Sequence, residues 1–494
     1  MDILAAASRN FDDVHLVGGA LRDSLLRRPF RDIDLAAAPA PDFSVRVRRL
    51  AKELGASCFP LDEENQVWRL SRARPSPAQV DIMPFAGGTA GSDLRRRDFT
   101  INAMALKLAP GMKLEAGPRP GEFVLRARRS AVTDPCGGLK DLAAGRVRPV
   151  SGGVFREDPV RLLRAFRLAA GLDFSLSPAA VRGIRADAAL IAGTAQERVR
   201  EELMRLLESP LSAKWLAMMH RHGLLCAVFP ELAPQENCAV AYYGKGGVLK
   251  HTLRVVERMD HLFMAPGRYL PEYQKAAPLI PEPRLMKLAA LLHDIAKPPK
   301  AAMVNGRLRF FGHEEHGAEM AEKVMERLRF SREEIRLVTR IIGAHLRPGN
   351  LASNETISDR AMFRFFRDLG DFTVPLLTLS WADHASYVSG ARLAGMRRRL
   401  SEAPAPLPPG GLPYNSPRKT LRYMQSLGLL LKVYLKKNMQ SGGKRLIDGN
   451  DVIKTLGIQE GPRVGEILEK MGLLQFEGRV STREQALKAL KGMK

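Results

Sequence analysis

Residues 15–35 read HLVGGALRDSLLRRPFRDIDL, and the punctuation of this stretch decides the fold class. His15 to Val17 is a short extended segment, Gly18-Gly19 breaks it, Ala20 to Arg27 has helical composition, and the β-prone run Ile33 to Leu35 follows Pro29. Adjacent glycines let backbone N–H groups approach a phosphate closely. Side chains alternate along a strand, so Asp32 and Asp34 share one side while Ile33 and Leu35 turn into a core. Two carboxylates one strand repeat apart suit Mg²⁺, which takes one or two carboxylates and fills its other positions with water and substrate phosphate oxygens. Taken singly, each feature also fits an ordinary turn and a solvated edge strand. Together, within one short span, they predict a nucleotide site, with Arg22 on the helix that follows the glycines.

Outward from this stretch, Phe43 to Leu54 predicts a helix with Val45, Val47, Leu50, Ala51 and Leu54 as its apolar stripe and Gly55 as its cap. Two extended runs, Gln66 to Leu70 and Gln79 to Met83, flank the proline-bearing turn Ser71 to Pro77 and complete a small mixed sheet. Val80 and Ile82 face one way and Asp81 the other, which makes Asp81 a candidate third carboxylate, although a surface aspartate fits the same spacing. Arg95 to Leu106, RRRDFTINAMAL, predicts a helix that buries Ile101, Met104 and Ala105 and is capped by Asp98 or Thr100. On it Asp98 and Asn102 lie one turn apart, able to offer an acceptor and an amide to a ribose hydroxyl pair, with Arg97 available for phosphate.

Phe155 to Ala170, FREDPVRLLRAFRLAA, predicts a helix lined by Val160, Leu163 and Phe166, with Pro159 in its first turn. Asp158 and Arg161 then share a face. Cytosine and adenine both present an amino donor beside a bare ring nitrogen, whereas uracil and guanine present a carbonyl beside an N–H. A carboxylate accepts and a guanidinium donates, so this pair suits C or A and meets U or G with unpaired polar groups, at about 1 to 3 kcal/mol each. A plain surface ion pair is the alternative at this spacing. Arg164, one turn further, extends the same face.

Composition narrows the partner. The chain has 494 residues, 45% of them hydrophobic, which excludes general disorder and allows several domains. Against 53 acidic residues stand 77 basic ones, a net charge of +24 spread over patches such as Arg46 to Arg49, Arg95 to Arg97, Arg126 to Arg129 and Arg397 to Arg399. A polyanion is the natural partner. The four cysteines show no zinc spacing and read as buried thiols of a reducing compartment. No run of 18 apolar residues and no basic-then-apolar leader is present, so the expectation is a cytoplasmic protein with no membrane partner.

In the C-terminal half, histidines and an adjacent His-Asp recur at long intervals: His251-Thr252, LLHDIAKP at 291–298, FGHEEHGAEMAEK at 311–323, AHLRP at 344–348 and WADHAS at 381–386. The pattern resembles that of the HD superfamily, and the resemblance implies that His251, His293, Asp294 and Asp383 supply its H…HD…D ligand set, with His313 and His345 as a second position, for a divalent transition metal. GKGG at 244–247 lacks P-loop spacing. Proline-rich 403–417 reads as a linker and the basic remainder as helical, with Gly457, Gly461 and Gly465 framing a turn beside Arg463.

Three strings in order, LVGGALRDSLL, DIDL and RRDFTINAMAL, resemble the head of class II CCA-adding tRNA nucleotidyltransferases and bacterial poly(A) polymerases, of the polymerase β-like superfamily. Glu157, Asp158 and Arg161 match that family's EDxxR motif, Glu197 to Leu207 resembles its supporting neck motif, and TDPCGGLKDL at 133–142 resembles its hinge. The histidine pattern resembles the HD superfamily of metal-dependent phosphohydrolases. The resemblance implies an α+β protein: a small mixed-sheet nucleotidyltransferase head at 1–133, then an all-α neck at 134–235, HD domain at 236–402, and linker with RNA-binding tail at 403–494. It also implies template-independent addition of CMP and/or AMP to the tRNA 3′ end, with CTP and ATP as substrates and tRNA as partner. Within that scheme Mg²⁺ is held by Asp32 and Asp34, with Asp81 as third carboxylate. Gly18-Gly19 hold the phosphates, Asp98 and Asn102 the ribose, and Asp158 and Arg161 the base.

Between Asp34 and Arg96 the chain lacks the longer flexible loop that complete CCA-adding enzymes show. A CC-adding or A-adding specialist and a poly(A) polymerase therefore stay open. A further alternative is an HD-type phosphohydrolase whose head only binds RNA, against which the intact DID and RRDFTIN strings speak. The sequence leaves the oligomeric state undefined.

Overall fold

The computed structural model describes residues 2–72, 78–109, 111–404, 406–408, 412, 416–441 and 445–493. The chain divides into two compact units, Met1–Leu206 with Met219–Val228, and Leu207–Met218 with Phe229–Lys494.

The first unit opens with helix α1, Ile3–Asn10, capped by Asp2. There follow strand β1 (Val14–Val17), helix α2 (Gly18–Leu25), strand β2 (Asp32–Ala37), helix α3 (Phe43–Leu54), and strands β3 (Ser57–Asp62), β4 (Val67–Arg72) and β5 (Ala78–Pro84). Helix α4 (Ala90–Arg95) and strand β6 (Ala105–Lys107) complete the head. One mixed sheet runs β3-β4-β5-β2-β1-β6, with Val132–Thr133 at its far edge. The β2–β5 pair is parallel, whereas β1 is antiparallel to both its neighbours. Ile33, Leu35 and Ile82 are fully buried, as alternation predicts. Helix α3 has its predicted bounds, but its buried face is Phe43, Val47, Leu50, Ala51 and Leu54, while Val45 is 52% exposed. A helical stripe of 3.6-residue period starting at Phe43 passes Val45 by. Strand β3 was not anticipated, because almost all of SCFPLD is exposed and its apolar residues do not alternate. Most of the turn before β5, residues 73–77, lies outside the described residues, as do several in the 403–417 linker.

Two predicted helices are not formed as such. Within 95–106, α4 ends at Arg95, Phe99 is extended and bridges Pro149, Thr100–Asn102 makes a 3₁₀ turn, and Ala105 enters β6. Asp98 explains the break. Its Oδ1 accepts from its neighbour Phe99 N–H at 2.7 Å and from Asn102 Nδ2 at 3.2 Å, satisfying a non-helical turn locally. Ile101, Met104 and Ala105 are still buried. The TDPCGGLKDL segment folds into α5 (Gly138–Ala143), anchored by Asp134 accepting from the N–H groups of Gly138 and Leu139. The predicted helix over 155–170 is two: α6 (Val154–Glu157) and α7 (Arg161–Leu172), separated by Asp158 at φ −151°, ψ 97°. Pro159 is the cause, since its ring excludes the preceding residue from the α region. Helices α8 (Pro178–Asp187) and α9 (Gln196–Leu207) follow, with Leu203, Leu206 and Leu207 fully buried.

The second unit is almost wholly helical. Helices Gly247–Met264, Pro283–Leu292, His313–Arg327, Arg332–Gly343 and Thr373–Ser386 carry its histidines and aspartates or lead directly into them. A small hairpin, Ala302–Val304 with Arg307–Arg309, interrupts them. Near the C-terminus, Gly449–Leu456, Pro462–Glu477 and Arg483–Lys491 pack around Ile447, Val452, Ile467, Met471 and Leu490. The predicted turn is there: Gly457 caps the first helix in the left-handed region and Pro462 starts the second.

All four cysteines are free, and half-buried rather than buried. Among the described residues, no helix is long and apolar enough to cross a membrane.

Candidate functional site

The parallel β2–β5 register sets Asp34 opposite Asp81 and Asp32 opposite Gln79. Ile33, Leu35, Val80 and Ile82 fill the core face, so the three aspartates rise from the other. Arg69 stands opposite Asp81 in β4 and donates to both its oxygens, at 2.8 and 2.7 Å. The hairpin register that delivers Arg69 is not readable from composition, which is why sequence reasoning missed it. Gly18 closes the site. At φ +66°, a Cβ there would lie 2.7 Å from Asp34 Oδ2, so only glycine fits. Gly19 N–H donates to Asp34. Burial pushes the Asp34 carboxyl above its ordinary pKa, helped by Asp81 and Asp32 and opposed by Arg97 and the Gly19 N–H. Three carboxylates on one face of the sheet, beside a backbone cradle without a side chain, offer hard oxygen donors of the kind that Mg²⁺ takes.

A chain of polar contacts runs away from the carboxylates. Arg22 donates to Asp23 at 2.9 Å and to Asn102 Oδ1 at 2.8 Å. Asn102 donates to Asp98, and Asp98 Oδ2 accepts from Arg164 Nε at 2.5 Å. Glu202 of α9 then binds Arg164 and Arg167. Burial alone would raise Asp98, but Arg164, the Phe99 N–H and Asn102 hold its carboxyl below the ordinary value. Arg164 is thus engaged with Asp98 and Glu202 rather than presented to a base. Arg97 pairs with Asp93 at 2.8 Å, next to Asp34.

Asp158 and Arg161 do not share a helical face, because Asp158 precedes α7. They are nevertheless near, with Arg161 Nε 3.8 Å from Asp158 Oδ2. Asp158 takes a two-point contact from Arg198 of α9, at 3.1 and 2.7 Å, and Arg161 binds Glu157 and the Val154 carbonyl. Arg198 lies in the string ERVREELMRLL, where nothing in the spacing singled it out.

In the second unit the predicted ligands converge. His251, His293 and Asp383 offer ligand atoms within 4.8 Å of one another, and so do Asp294, His313 and His345. His251 Nε2 lies 3.3 Å from Asp294 and 3.2 Å from Asp383, and His293 Nε2 lies 3.1 Å from Asp294. The Nδ1 atoms of His293, His313 and His345 donate to the carbonyls of Ala290, Phe310 and Ile342 at 2.7 to 2.9 Å, which turns each Nε2 inward. Several inward atoms, among them Nε2 of His251, His293 and His313 and Oδ1 of Asp294 and Asp383, are buried without a hydrogen-bond partner. Orphaned donors of this kind, with mixed imidazole and carboxylate chemistry, fit a divalent transition metal. Lys297, not singled out from sequence, stands 2.6 Å from Asp294 Oδ2 and 2.9 Å from the Tyr243 hydroxyl. Burial opposes its charge, and Asp294 and its neighbours outweigh burial and raise its pKa. Burial lowers His345 to about 3, and the cationic side of His293 acts in the same direction.

Residues 14–148 match the family described as "Poly A polymerase head domain", 173–236 that described as "Probable RNA and SrmB- binding site of polymerase A", and 248–387 the HD domain. An A-adding tRNA nucleotidyltransferase of Deinococcus radiodurans is 30% identical over 95% of this chain and 93% of its own length. A CC-adding tRNA nucleotidyltransferase of Thermus thermophilus is 32% identical over 96% and 92%. The solved Thermotoga maritima CCA-adding enzyme complexed with tRNA aligns over 99% of this chain and 93% of its own, at TM-score 0.62 and 21% identity, a likeness of fold. On the strength of these full-length relatives, the chain belongs to the tRNA nucleotidyltransferase family.

Proposed function

We propose that this protein adds CMP and/or AMP, without a template, to the 3′ end of tRNA, releasing pyrophosphate. The observation that carries the reading is the in-register pair Asp34 and Asp81, with Asp32 on the same face, closed by Gly18. Asp32, Asp34 and Asp81 would hold Mg²⁺, whose bound charge favours the ionised 3′-hydroxyl and the departing pyrophosphate. The Gly18-Gly19 backbone receives the triphosphate, with Arg22 and Arg97 as its nearest cations. Asp98 and Asn102 orient the ribose, in a network stiffened by Arg164 and Glu202. Asp158 and Arg161 read the base: one accepts from the amino group and the other donates to the ring nitrogen of C or A. Arg198 holds the Asp158 carboxylate in place through its two-point contact.

This chain matches more than nine-tenths of the length of both relatives, and these are specialists, one A-adding and one CC-adding. This supports a chain that performs one part of CCA addition. The test offers tRNAs ending before CCA, after C and after CC, each with a single NTP, and reads product length. No one-nucleotide ladder with CTP or ATP would overturn the proposal. The division into head, neck, HD domain and tail, and a reducing cytoplasmic location, belong to the same reading.

The orphaned ligand atoms of the histidine-aspartate cluster support a second reading beside the first. His251, His293, Asp294 and Asp383, with His313 and His345, would hold a divalent transition metal, which supplies an activated water for phosphoester hydrolysis. Metal analysis and assay on 2′,3′-cyclic phosphates test it.

A further inference from the structure

The segment joining Asp294 to His313 carries an exposed surface that has no part in the site described at Asp34 and Asp81. Every residue from 301 to 309, the whole hairpin, is exposed. Its register pairs Met303 with Leu308 on one face and sets Ala302 and Val304 opposite Arg309 and Arg307 on the other. A two-stranded hairpin with neither face covered is marginal in water. Met303 at 68% and the neighbouring Phe311 at 73% are the most exposed large apolar side chains among the described residues.

Charge indicates what covers it. Residues 298–312 contain Lys300, Arg307 and Arg309 and no acid, and 237–256 contain Lys245, Lys250 and Arg254, again with no acid. A second copy of a chain already at +24 would be repelled from this place. The aromatic residues give the chemistry. Lys297 Nζ sits 5.3 Å from the Tyr243 ring centroid and 5.6 Å from that of Phe310, so two aromatic doublets meet over it. The inner members fix Lys297 at the cluster, while their chain neighbours Tyr242 and Phe311 face solvent at 37% and 73%. Phe310 is also tied inward, since its carbonyl accepts from His313 Nδ1 at 2.7 Å. Aromatic faces interleaved with cations bind single strands by stacking bases and tracking phosphates.

We propose that the hairpin, with the short helix Val240–Tyr243 and the turn at 244–246 that follows it, forms a binding site for single-stranded RNA at the mouth of the histidine-aspartate cluster. Bases stack on Phe311 and Tyr242, and the phosphates follow Lys300, Arg307 and Arg309. The site is separate from the head and does not depend on the nucleotide-addition reading.

The test uses the full chain and a 12-nucleotide RNA carrying 4-thiouridine. Photo-crosslinks are expected on peptides covering 240–250 and 298–312. The Phe311→Ala variant should weaken binding about tenfold, the loss of one stacked base. Arg307→Ala/Arg309→Ala should lower the salt slope of log K by about 1 to 1.5, as loss of two phosphate contacts requires. Addition of CMP or AMP to tRNA, measured in parallel, should be unchanged in both variants, whose fold is checked by thermal melting. Crosslinks confined to other segments, with affinity and salt slope unchanged, would overturn the proposal. So would sedimentation showing a dimer that Phe311→Ala or Met303→Asp dissociates, because the surface would then join two copies.

Discussion

Asp34 and Asp81 stand opposite each other on the parallel strands β2 and β5, and the two carboxylates differ in what holds them. Asp81 is gripped at both oxygens by Arg69. Asp34 makes no ion pair among the described residues, and burial, with two neighbouring carboxylates, raises its carboxyl above its ordinary pKa against Arg97 and the Gly19 N–H. An unneutralised carboxylate beside a neutralised one is the arrangement that a bound cation would complete.

Removing each should therefore give different results. Asp34→Ala is expected to abolish addition of both CMP and AMP while nucleotide binding, read by equilibrium dialysis, is largely kept. Arg69→Ala leaves all three carboxylates and removes only the group that orients Asp81, so kcat should fall by about 10- to 100-fold. Full activity in Asp34→Ala would remove the core of the functional reading.

Gly18 gives a steric test of the same site. Alanine there must adopt φ +66° with its Cβ 2.7 Å from Asp34 Oδ2. The left-handed conformation alone costs about 1 to 2 kcal/mol, and the displaced carboxylate adds a catalytic loss. Gly18→Ala should lower both the melting temperature and kcat. Gly55, also in the left-handed region but with open space around it, serves as the control: Gly55→Ala should destabilise without touching kcat.

What could be read beforehand followed from short-range rules. Period-2 alternation placed Asp32, Ile33, Asp34 and Leu35, and the unbroken helix α3 was legible from its stripe. The converging histidines and aspartates were legible as a set because a candidate metal site constrains residue type more than position. Side-chain pairing was hidden: Arg69 reaches Asp81 across strand register, Arg198 reaches Asp158 from a neighbouring helix, and Lys297 reaches Asp294 through a buried i,i+3 contact. The two misread helices share one cause. At Asp98 and Asp158 a local preference, an Asx-type turn in one case and the residue before proline in the other, overrides an apolar period that continues on both sides. Both breaks fall on residues that we propose contact substrate, and both take the carboxylate off a helical face.

The histidine-aspartate cluster should be separable from addition. His293→Ala removes one inward Nε2 and leaves the head unaltered, so bound divalent metal, measured by plasma mass spectrometry after dialysis, should drop while CMP or AMP addition persists. Loss of addition together with the metal would contradict independent roles.

The Asp98–Arg164 bond predicts how the first unit responds to acid. The folded pKa of Asp98 lies below its ordinary value, so its contribution to stability is complete above the unfolded pKa of about 3.9 and is lost as pH falls through the folded value. At pH 7, Asp98→Asn should cost about 1 to 2 kcal/mol, partly screened because Arg164 is 39% exposed. Below about pH 4 the melting curves of wild type and variant should converge. A constant difference from pH 3 to 7 would show that the ionised form of Asp98 is not what stabilises this network.

Base choice tests the pairing of Asp158 with Arg198. If Asp158 accepts from the amino group of C or A, Asp158→Ala removes the acceptor that U and G cannot use, and misincorporation of UMP and GMP should rise by about 10-fold or more, the equivalent of one unpaired polar group. Arg198→Ala keeps the acceptor but frees it from its two-point partner at 3.1 and 2.7 Å. That variant should raise KM for the correct nucleotide while retaining most of the discrimination, since Arg161 remains 3.8 Å from Asp158. Arg198→Lys should restore part of the loss through charge without the planar fork. Equal loss of discrimination in Asp158→Ala and Arg198→Ala would instead mean that the ion pair, rather than the Asp158 carboxylate, is the element that reads the base.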